Sequence, residues 1–144
     1  MSKNIFFDDR NVLLVEDELA VAEKVSGHLS ALGFAEVLIA TSLAQAHSIL
    51  ERSQVDAAVL DVNLRGNEMT VELGWSMVAD NIPVVFFSGF NADEMARLTR
   101  GHEFMEKPIS VPRLKASLQR AMLRVPSQAQ NFERKKMAGQ TARQ

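Results

Sequence analysis

The chain has 144 residues and a formal net charge of −2, which suits one domain and argues against a nucleic-acid-binding surface along its whole length. It contains no cysteine, which excludes disulfide bonds, thiolate nucleophiles and zinc–thiolate sites and suits a reducing compartment. No segment resembles a secretory signal or is apolar for long enough to span a bilayer, so we expect a cytoplasmic protein.

Five short apolar runs mark five expected strands. They lie at residues 12–15, 36–40, 57–60, 83–87 and 102–105. Runs that are continuously apolar, rather than alternating with polar residues, are typical of parallel strands that are covered on both faces.

Segments with helical spacing separate these runs. Gly33 is placed to end the first helix, and Ser42 with Gln45 forms a capping box that opens the second. The third helix is expected at about 69–79, the fourth from Asn91 to Gly101, and the fifth from Ser110 onward. This alternation predicts an α/β fold with a parallel sheet between two layers of helices.

The two ends of the chain fall outside this pattern. Residues 1–10 read as a polar N-terminal lead-in, residues 11–123 as one folded domain, and residues 124–144 as a flexible tail with five basic residues and one acidic residue. The tail is expected to be solvated, and docking to a partner or an anionic surface is the alternative.

Polar residues follow four of the five strands, at the edge of the sheet where α/β proteins bind ligands. They are Glu16 and Asp17 after the first strand, Asp61 and Asn63 after the third, Ser88 after the fourth and Lys107 after the fifth. Converging carboxylates repel one another unless a cation lies between them, and ligation by oxygen alone suits Mg²⁺. Lys107 and Ser88 add a positive charge and a hydroxyl, which suit a tetrahedral anion. Since an aspartate can act as a nucleophile toward phosphorus, Asp61 is the predicted phosphoryl acceptor.

Four motifs carry a resemblance to a known family. In this order and spacing, "VLLVEDE", "AAVLDVNLRG", "VVFFSG" and "EKP" resemble the receiver domain of bacterial two-component response regulators, over about residues 10–124. The resemblance implies a flavodoxin-like (βα)5 fold with a five-stranded parallel sheet in the order 2-1-3-4-5 and helices on both faces.

The segment "IPVVFFSGF" is also similar to a stand-alone subgroup of that family, which is marked by the signature P-F-x-F-A-T-G-Y. The segment matches this signature at Pro83, Phe86 and Gly89, and it departs from it at Val84, Phe87, Ser88 and Phe90.

The resemblance implies definite roles for the residues at the strand ends. Asp61 would take a phosphoryl group from a phosphohistidine on a sensor histidine kinase or a histidine phosphotransfer protein. The Mg²⁺ ligands would be Asp17, Asp61, Glu16 (directly or through water) and the main-chain carbonyl of Asn63. Lys107 would pair with the acyl phosphate, and Ser88 would hydrogen-bond a phosphoryl oxygen and shift on activation.

The resemblance also implies how a signal would leave the site. Phe104 would be an aromatic switch that turns inward as Ser88 moves, and Asn63 and Phe90 would tune the lifetime of the phosphate. The chain would be a single-domain response regulator, which catalyses its own phosphorylation and dephosphorylation and turns over no small substrate. Its output would be binding to a downstream protein through the fourth helix, fifth strand and fifth helix, with a homodimer as a further option and with neither nucleic acid nor membrane as a partner.

Several alternatives stay open. The chain could be a phosphorelay shuttle, a pseudo-receiver that binds without being phosphorylated, or a fragment of a longer hybrid kinase. Phosphatases of the haloacid dehalogenase type also use an aspartate, Mg²⁺ and a lysine, but they require an acid where this chain has Asn63, and their nucleophile follows the first strand. Phe104 could simply be a core residue, and Ser88 with Gly89 could simply form a turn.

Overall fold

The structure, a computed structural model, describes residues 4–89 and 92–125. A five-stranded parallel sheet has the order β2-β1-β3-β4-β5, which confirms the predicted order and the flavodoxin-like fold. The strands are β1 (Asn11–Val15), β2 (Glu36–Ala40), β3 (Ala57–Asp61), β4 (Val84–Ser88) and β5 (Phe104–Glu106).

Within the described residues, five α-helices connect and follow the strands. They are α1 (Leu19–Leu32), α2 (Leu43–Arg52), α3 (Val71–Ala79), α4 (Ala92–Leu98) and α5 (Val111–Arg124). A short 3-10 turn, Arg65–Asn67, lies between β3 and α3.

Capping groups predicted at three helix ends are present, but the capping box at Ser42 is only half formed, because the side chain of Gln45 accepts the N–H of Thr41 at 2.8 Å and not that of Ser42. Oγ of Ser42 accepts a hydrogen bond from the main-chain N–H of Gln45 at 3.1 Å, and Oγ of Ser110 accepts one from Arg113 at 3.4 Å. Gly33 follows α1 with a φ of 116°, a left-handed conformation that a glycine adopts without steric cost. Each of these helix ends is therefore set by a capping group that lies within a few residues of it in the sequence.

Residues of each strand alternate between the two faces of the sheet and so build two hydrophobic cores. In β1, Val12 and Leu14 pack in the core beneath α1 and α5, whereas Leu13 and Val15 pack in the core beneath α2, α3 and α4. The central strands β1, β3 and β4 read as continuously apolar because both of their faces are covered, whereas the edge strand β2 is only partly buried.

Several element boundaries differ from the sequence expectation. β3 extends to Asp61, so that this carboxylate lies on the last residue of the strand. β5 begins two residues later than expected, and α3 begins at Val71, because Met69 pairs with Asn63 in an isolated bridge and Thr70 lies at the helix N-cap. α4 ends at Leu98, before Gly101, and Asn91 lies outside the described residues.

The segment before β1 contributes to the core, although its sequence predicted only a polar N-terminal lead-in. Phe7 is fully buried, and its ring centroid lies 5.1 Å from that of Phe34. Ile5 in the same segment is 80% exposed. At the other end, Val125 is buried after α5, and the rest of the expected tail, 126–144, lies outside the described residues.

The tryptophan of α3 is held by a residue that follows α4. Trp75 is partly buried against the core beneath α2, α3 and α4, and the guanidinium carbon of Arg100 lies 3.7 Å from the centroid of its ring. This cation–π contact joins α3 to the segment between α4 and β5.

Candidate functional site

Three carboxylates meet at the carboxyl edge of the sheet. Glu16 and Asp17 follow β1, and Asp61 ends β3, which pairs directly with β1. One oxygen from each carboxylate lies within 4.8 Å of the others. The sheet order therefore brings together acids that are more than forty positions apart, as the strand-end pattern predicted.

Each carboxylate oxygen of Asp61 has a polar partner. Its side chain is buried, Oδ1 accepts a hydrogen bond from the main-chain N–H of Asn63 at 3.3 Å, and Oδ2 lies 3.2 Å from Nζ of Lys107. A buried carboxylate is tolerated only when it has partners of this kind.

Glu16 is the most deeply buried acid of the site, with an exposure of 1%. Oε1 accepts the main-chain N–H of Glu18 at 3.0 Å, and Oε2 lies 3.4 Å from Nζ of Lys107. Among the described residues, none donates a hydrogen bond to Oε2. Burial, together with the neighbouring Asp61, raises the pKa of Glu16 to about 7.

Lys107 follows β5 and supplies the positive charge of the site. Its main-chain N–H donates to the carbonyl of Ser88 at 2.9 Å, which ties the residue to the end of β4. Burial acts to lower the pKa of Lys107, but attraction to Asp61 and Glu16 outweighs it, so that the pKa is raised. The ammonium group is therefore charged at neutral pH.

Asp17 is turned toward the loop between β3 and α3. Oδ2 accepts the main-chain N–H of Arg65 at 2.7 Å, and Nε of Arg65 lies 3.7 Å from the same oxygen. Since the short bond is to the backbone, the loop holds Asp17 through an interaction that no sequence motif reveals.

Of the remaining predicted residues, Ser88 and Phe104 lie on the neighbouring strands β4 and β5. Ser88 is 2% exposed and ends β4, one residue beyond Phe87, which pairs with Asp61. Phe104 is partly buried and pairs with Phe86 in the neighbouring strand. Phe90 lies outside the described residues, so its expected part in phosphate lifetime stays a prediction.

Thr70 lies at the site and was missed by the sequence analysis. Its side chain is fully buried, Oγ1 donates to the main-chain carbonyl of Asp61 at 2.8 Å, and its N–H donates to the carbonyl of Val62 at 3.0 Å. In the sequence, a threonine just before a helix indicates only an N-cap.

The donor set fits a divalent cation. With all groups ionised, three carboxylates and one ammonium leave a net charge of −2, which Mg²⁺ would neutralise. Oε2 of Glu16 is a buried oxygen that lacks a hydrogen-bond donor among the described residues. Oxygen ligands of this kind suit Mg²⁺.

Comparisons with known proteins point to one family. The family description "Response regulator receiver domain" matches residues 12–119. Among curated proteins, the chain is 34% identical over 116 residues to the heme response regulator HssR of Staphylococcus saprophyticus subsp. saprophyticus, an alignment that covers 75% of this chain and 51% of HssR. The chain spans about half the length of the curated relatives it matches.

Solved structures agree with this match. The solution structure of SdrG from Sphingomonas melonis Fr1 is 31% identical, with a TM-score of 0.69, and covers 85% of this chain and 99% of SdrG. The BeF3-activated conformation of SdrG, from Pseudomonas melonis Fr1, is 30% identical, with a TM-score of 0.66, and covers 78% of this chain and 95% of that chain.

The described part of the chain holds no helix that is both long and apolar enough to cross a bilayer. The acidic edge of a parallel five-stranded sheet, the lysine that faces it and the match over residues 12–119 lead to the same assignment. The chain belongs to the response regulator receiver domain family.

Proposed function

We propose that this chain is a phosphorylatable signalling switch that accepts a phosphoryl group on Asp61 from a phosphohistidine of a sensor kinase or phosphotransfer protein. The observation that carries the proposal is the pairing of Lys107 with Asp61 inside a cluster of three carboxylates. An ordinary strand-end aspartate would need neither the two neighbouring acids nor the half-buried lysine.

The chemistry is an attack by a carboxylate oxygen of Asp61 on phosphorus. The O–P bond forms as the P–N bond to the donor imidazole breaks, and the imidazole nitrogen keeps the electron pair and takes a proton from solvent. Lys107, which pairs with Asp61 at 3.2 Å, would pair with the acyl phosphate that results, and Ser88 would donate its hydroxyl to a phosphoryl oxygen.

The cation would be held by Asp17, Asp61 and Glu16, with the main-chain carbonyl of Asn63 as a further ligand. When bound, Mg²⁺ supplies the positive charge that offsets the repulsion between these acids and an incoming phosphoryl group. The fold keeps Asp61 itself 4% exposed, so that its carboxylate is held among the residues of the site.

The output would be binding of a downstream protein through the surface made by α4, β5 and α5. Phe104 lies on β5 one strand away from Ser88, so a shift of Ser88 toward the phosphate would change the packing around this ring. Homodimerisation is part of the proposal, as are the cytoplasmic location and the domain bounds 11–123. A phosphorelay shuttle would use the same chemistry and differ only in the protein that receives the phosphoryl group.

The test is the intact mass of the protein after incubation with acetyl phosphate, with and without Mg²⁺. Wild type, Asp61→Asn and the control Asp56→Asn are compared. Asp56 is a matched control because it lies just before β3, where its carboxylate accepts the main-chain N–H of Asn11 at 2.8 Å.

One added phosphoryl group is expected on wild type and on Asp56→Asn, only with Mg²⁺, and none on Asp61→Asn. Addition that persists in Asp61→Asn would assign the acceptor to another residue. If wild type is modified neither by acetyl phosphate nor by a phosphorylated histidine phosphotransfer protein, the function as a phosphorylatable switch is wrong.

A further inference from the structure

We propose that Thr70 is a positioning residue for phosphoryl transfer, which holds Asp61 and the metal-binding loop in their working geometry. The inference rests on the proposed function, since it assigns Thr70 a part in the same site. Thr70 acts through the backbone and does not contact the reacting atoms.

The contacts of Thr70 join the two sides of one loop. Oγ1 donates to the carbonyl of Asp61 at 2.8 Å, and the N–H donates to the carbonyl of Val62 at 3.0 Å. Two consecutive carbonyls at the end of β3 are thus bonded to one residue at the start of α3. These two hydrogen bonds hold together the two ends of the loop that runs from residue 63 to residue 69.

The hydroxyl of Thr70 does not make the hydrogen bond that is usual for a threonine at a helix N-cap. A threonine at a helix N-cap normally accepts a hydrogen bond from an N–H of the first turn, which stabilises the helix. Thr70 is the N-cap of α3, yet its side chain makes no such bond. The hydroxyl donates to Asp61 instead, so the geometry favours a role in holding the phosphoacceptor over a role in starting the helix.

The closed loop carries the other groups that the site needs. Asn63, whose carbonyl is the proposed further ligand, pairs with Met69 directly before Thr70. The N–H of Arg65 holds Oδ2 of Asp17 at 2.7 Å. A change at Thr70 would therefore alter the placement of Asp17, Asp61 and Asn63 together.

The test separates positioning from stability by comparing two buried threonines. Thr70→Val removes the hydroxyl and keeps the shape of the side chain, and Thr70→Ser restores the hydroxyl. Thr99→Val is the matched control, because Thr99 is also fully buried and donates to a main-chain carbonyl, that of Met95, at 2.7 Å. For each variant, Mg²⁺ affinity is measured by calorimetry, stability by chemical unfolding and phosphoryl uptake from acetyl phosphate by intact mass.

Thr70→Val is expected to lower the Mg²⁺ affinity and the initial rate of phosphoryl uptake by roughly 10-fold, as is usual when a group that orients a metal ligand is lost. Thr99→Val should lose similar stability but keep both functional values, and Thr70→Ser should recover them.

Two results would overturn the inference. One is an equal Mg²⁺ affinity in Thr70→Val and Thr99→Val, and the other is a failure of Thr70→Ser to recover function. Because Mg²⁺ affinity is measured without any phosphodonor, the inference about Thr70 can be judged even if wild type accepts no phosphoryl group, a result that would count against the proposed function alone.

Discussion

Nζ of Lys107 lies 3.2 Å from Oδ2 of Asp61. The ammonium group enters the site from the segment after β5, and it lies between two buried acids because it is also 3.4 Å from Oε2 of Glu16. One lysine is therefore ion-paired with two carboxylates, one directly after β1 and one at the end of β3.

Replacement of this lysine should affect both stability and function. In Lys107→Met, two buried acids lose their cationic partner, and we expect the free energy of unfolding without Mg²⁺ to fall by about 1–3 kcal/mol. Phosphoryl uptake should slow as well, since the charge that pairs with the acyl phosphate is lost. Chemical unfolding and intact mass measure the two effects.

The control is Lys115→Met, on the exposed face of α5. Its stability should stay within about 0.5 kcal/mol of wild type. Equal unfolding midpoints for the two variants would show that Lys107 is an ordinary surface lysine.

Glu16 should make Mg²⁺ binding depend on pH near neutrality. Its pKa is raised from 4.5 to about 7, so below that pH the carboxyl holds a proton that competes with the cation. Mg²⁺ affinity should fall as the pH decreases through about 7, with release of a proton on binding. Calorimetry in two buffers of different ionisation enthalpy measures that proton.

The raised pKa of Glu16 also makes the free energy of unfolding depend on pH. Between pH 4.5 and about 7, the folded chain holds a proton on Glu16 that the unfolded chain has released. In the absence of Mg²⁺, the contribution of Glu16 therefore lowers the free energy of unfolding as the pH rises across this range, and no further above it. In Glu16→Gln, both pH dependences should be lost, and their persistence would assign them to another group.

Gly74 of α3 should not tolerate a side chain. A Cβ at this position would overlap the ring of Phe86 and lie 3.3 Å from Cδ1 of Leu60. We expect Gly74→Ala to destabilise the fold by about 1–3 kcal/mol, because the helix must move off the sheet.

Gly27 of α1 is the matched helical control, since no atom beyond its chain neighbours and the backbone of its own helix lies within 4 Å of the position that a Cβ would take there. Gly27→Ala should stabilise the fold by up to about 1 kcal/mol. Thermal unfolding of the two variants decides the point, and a neutral Gly74→Ala would mean that α3 does not depend on this close approach.

Phe7 should be part of the cooperative fold. Its removal in Phe7→Ala is expected to cost about 3–5 kcal/mol, as for other buried aromatic residues. Ile5→Ala, at a site that is 80% exposed, should be close to neutral. If chemical unfolding gave both variants the wild-type midpoint, the segment before β1 would not belong to the folded unit.

The sequence predicts those parts of the molecule whose causes are local. Ser42 with Gln45, and Gly33 after an apolar stripe, signal helix ends because the groups that make the cap are only a few residues apart. The strand-end rule then brought together Glu16, Asp61 and Lys107, since parallel strands place their carboxyl ends at one edge.

What could not be predicted depends on main-chain contacts and on packing. The bond from Thr70 to the carbonyl of Asp61, and the bond from the N–H of Arg65 to Asp17, both involve backbone groups that every residue has, so no residue type marks them. Phe7 lies in a stretch that is polar on average, and its burial depends on Phe34 across the fold.

The contact between Trp75 and Arg100 gives the protein its own optical probe. The chain has one tryptophan and no tyrosine, so its indole fluorescence comes from a single ring. Since the guanidinium of Arg100 lies over that ring, displacement of the segment after α4 would change the emission without any label. A titration monitored by the fluorescence of Trp75 would report how α4 and β5 respond to phosphorylation of Asp61.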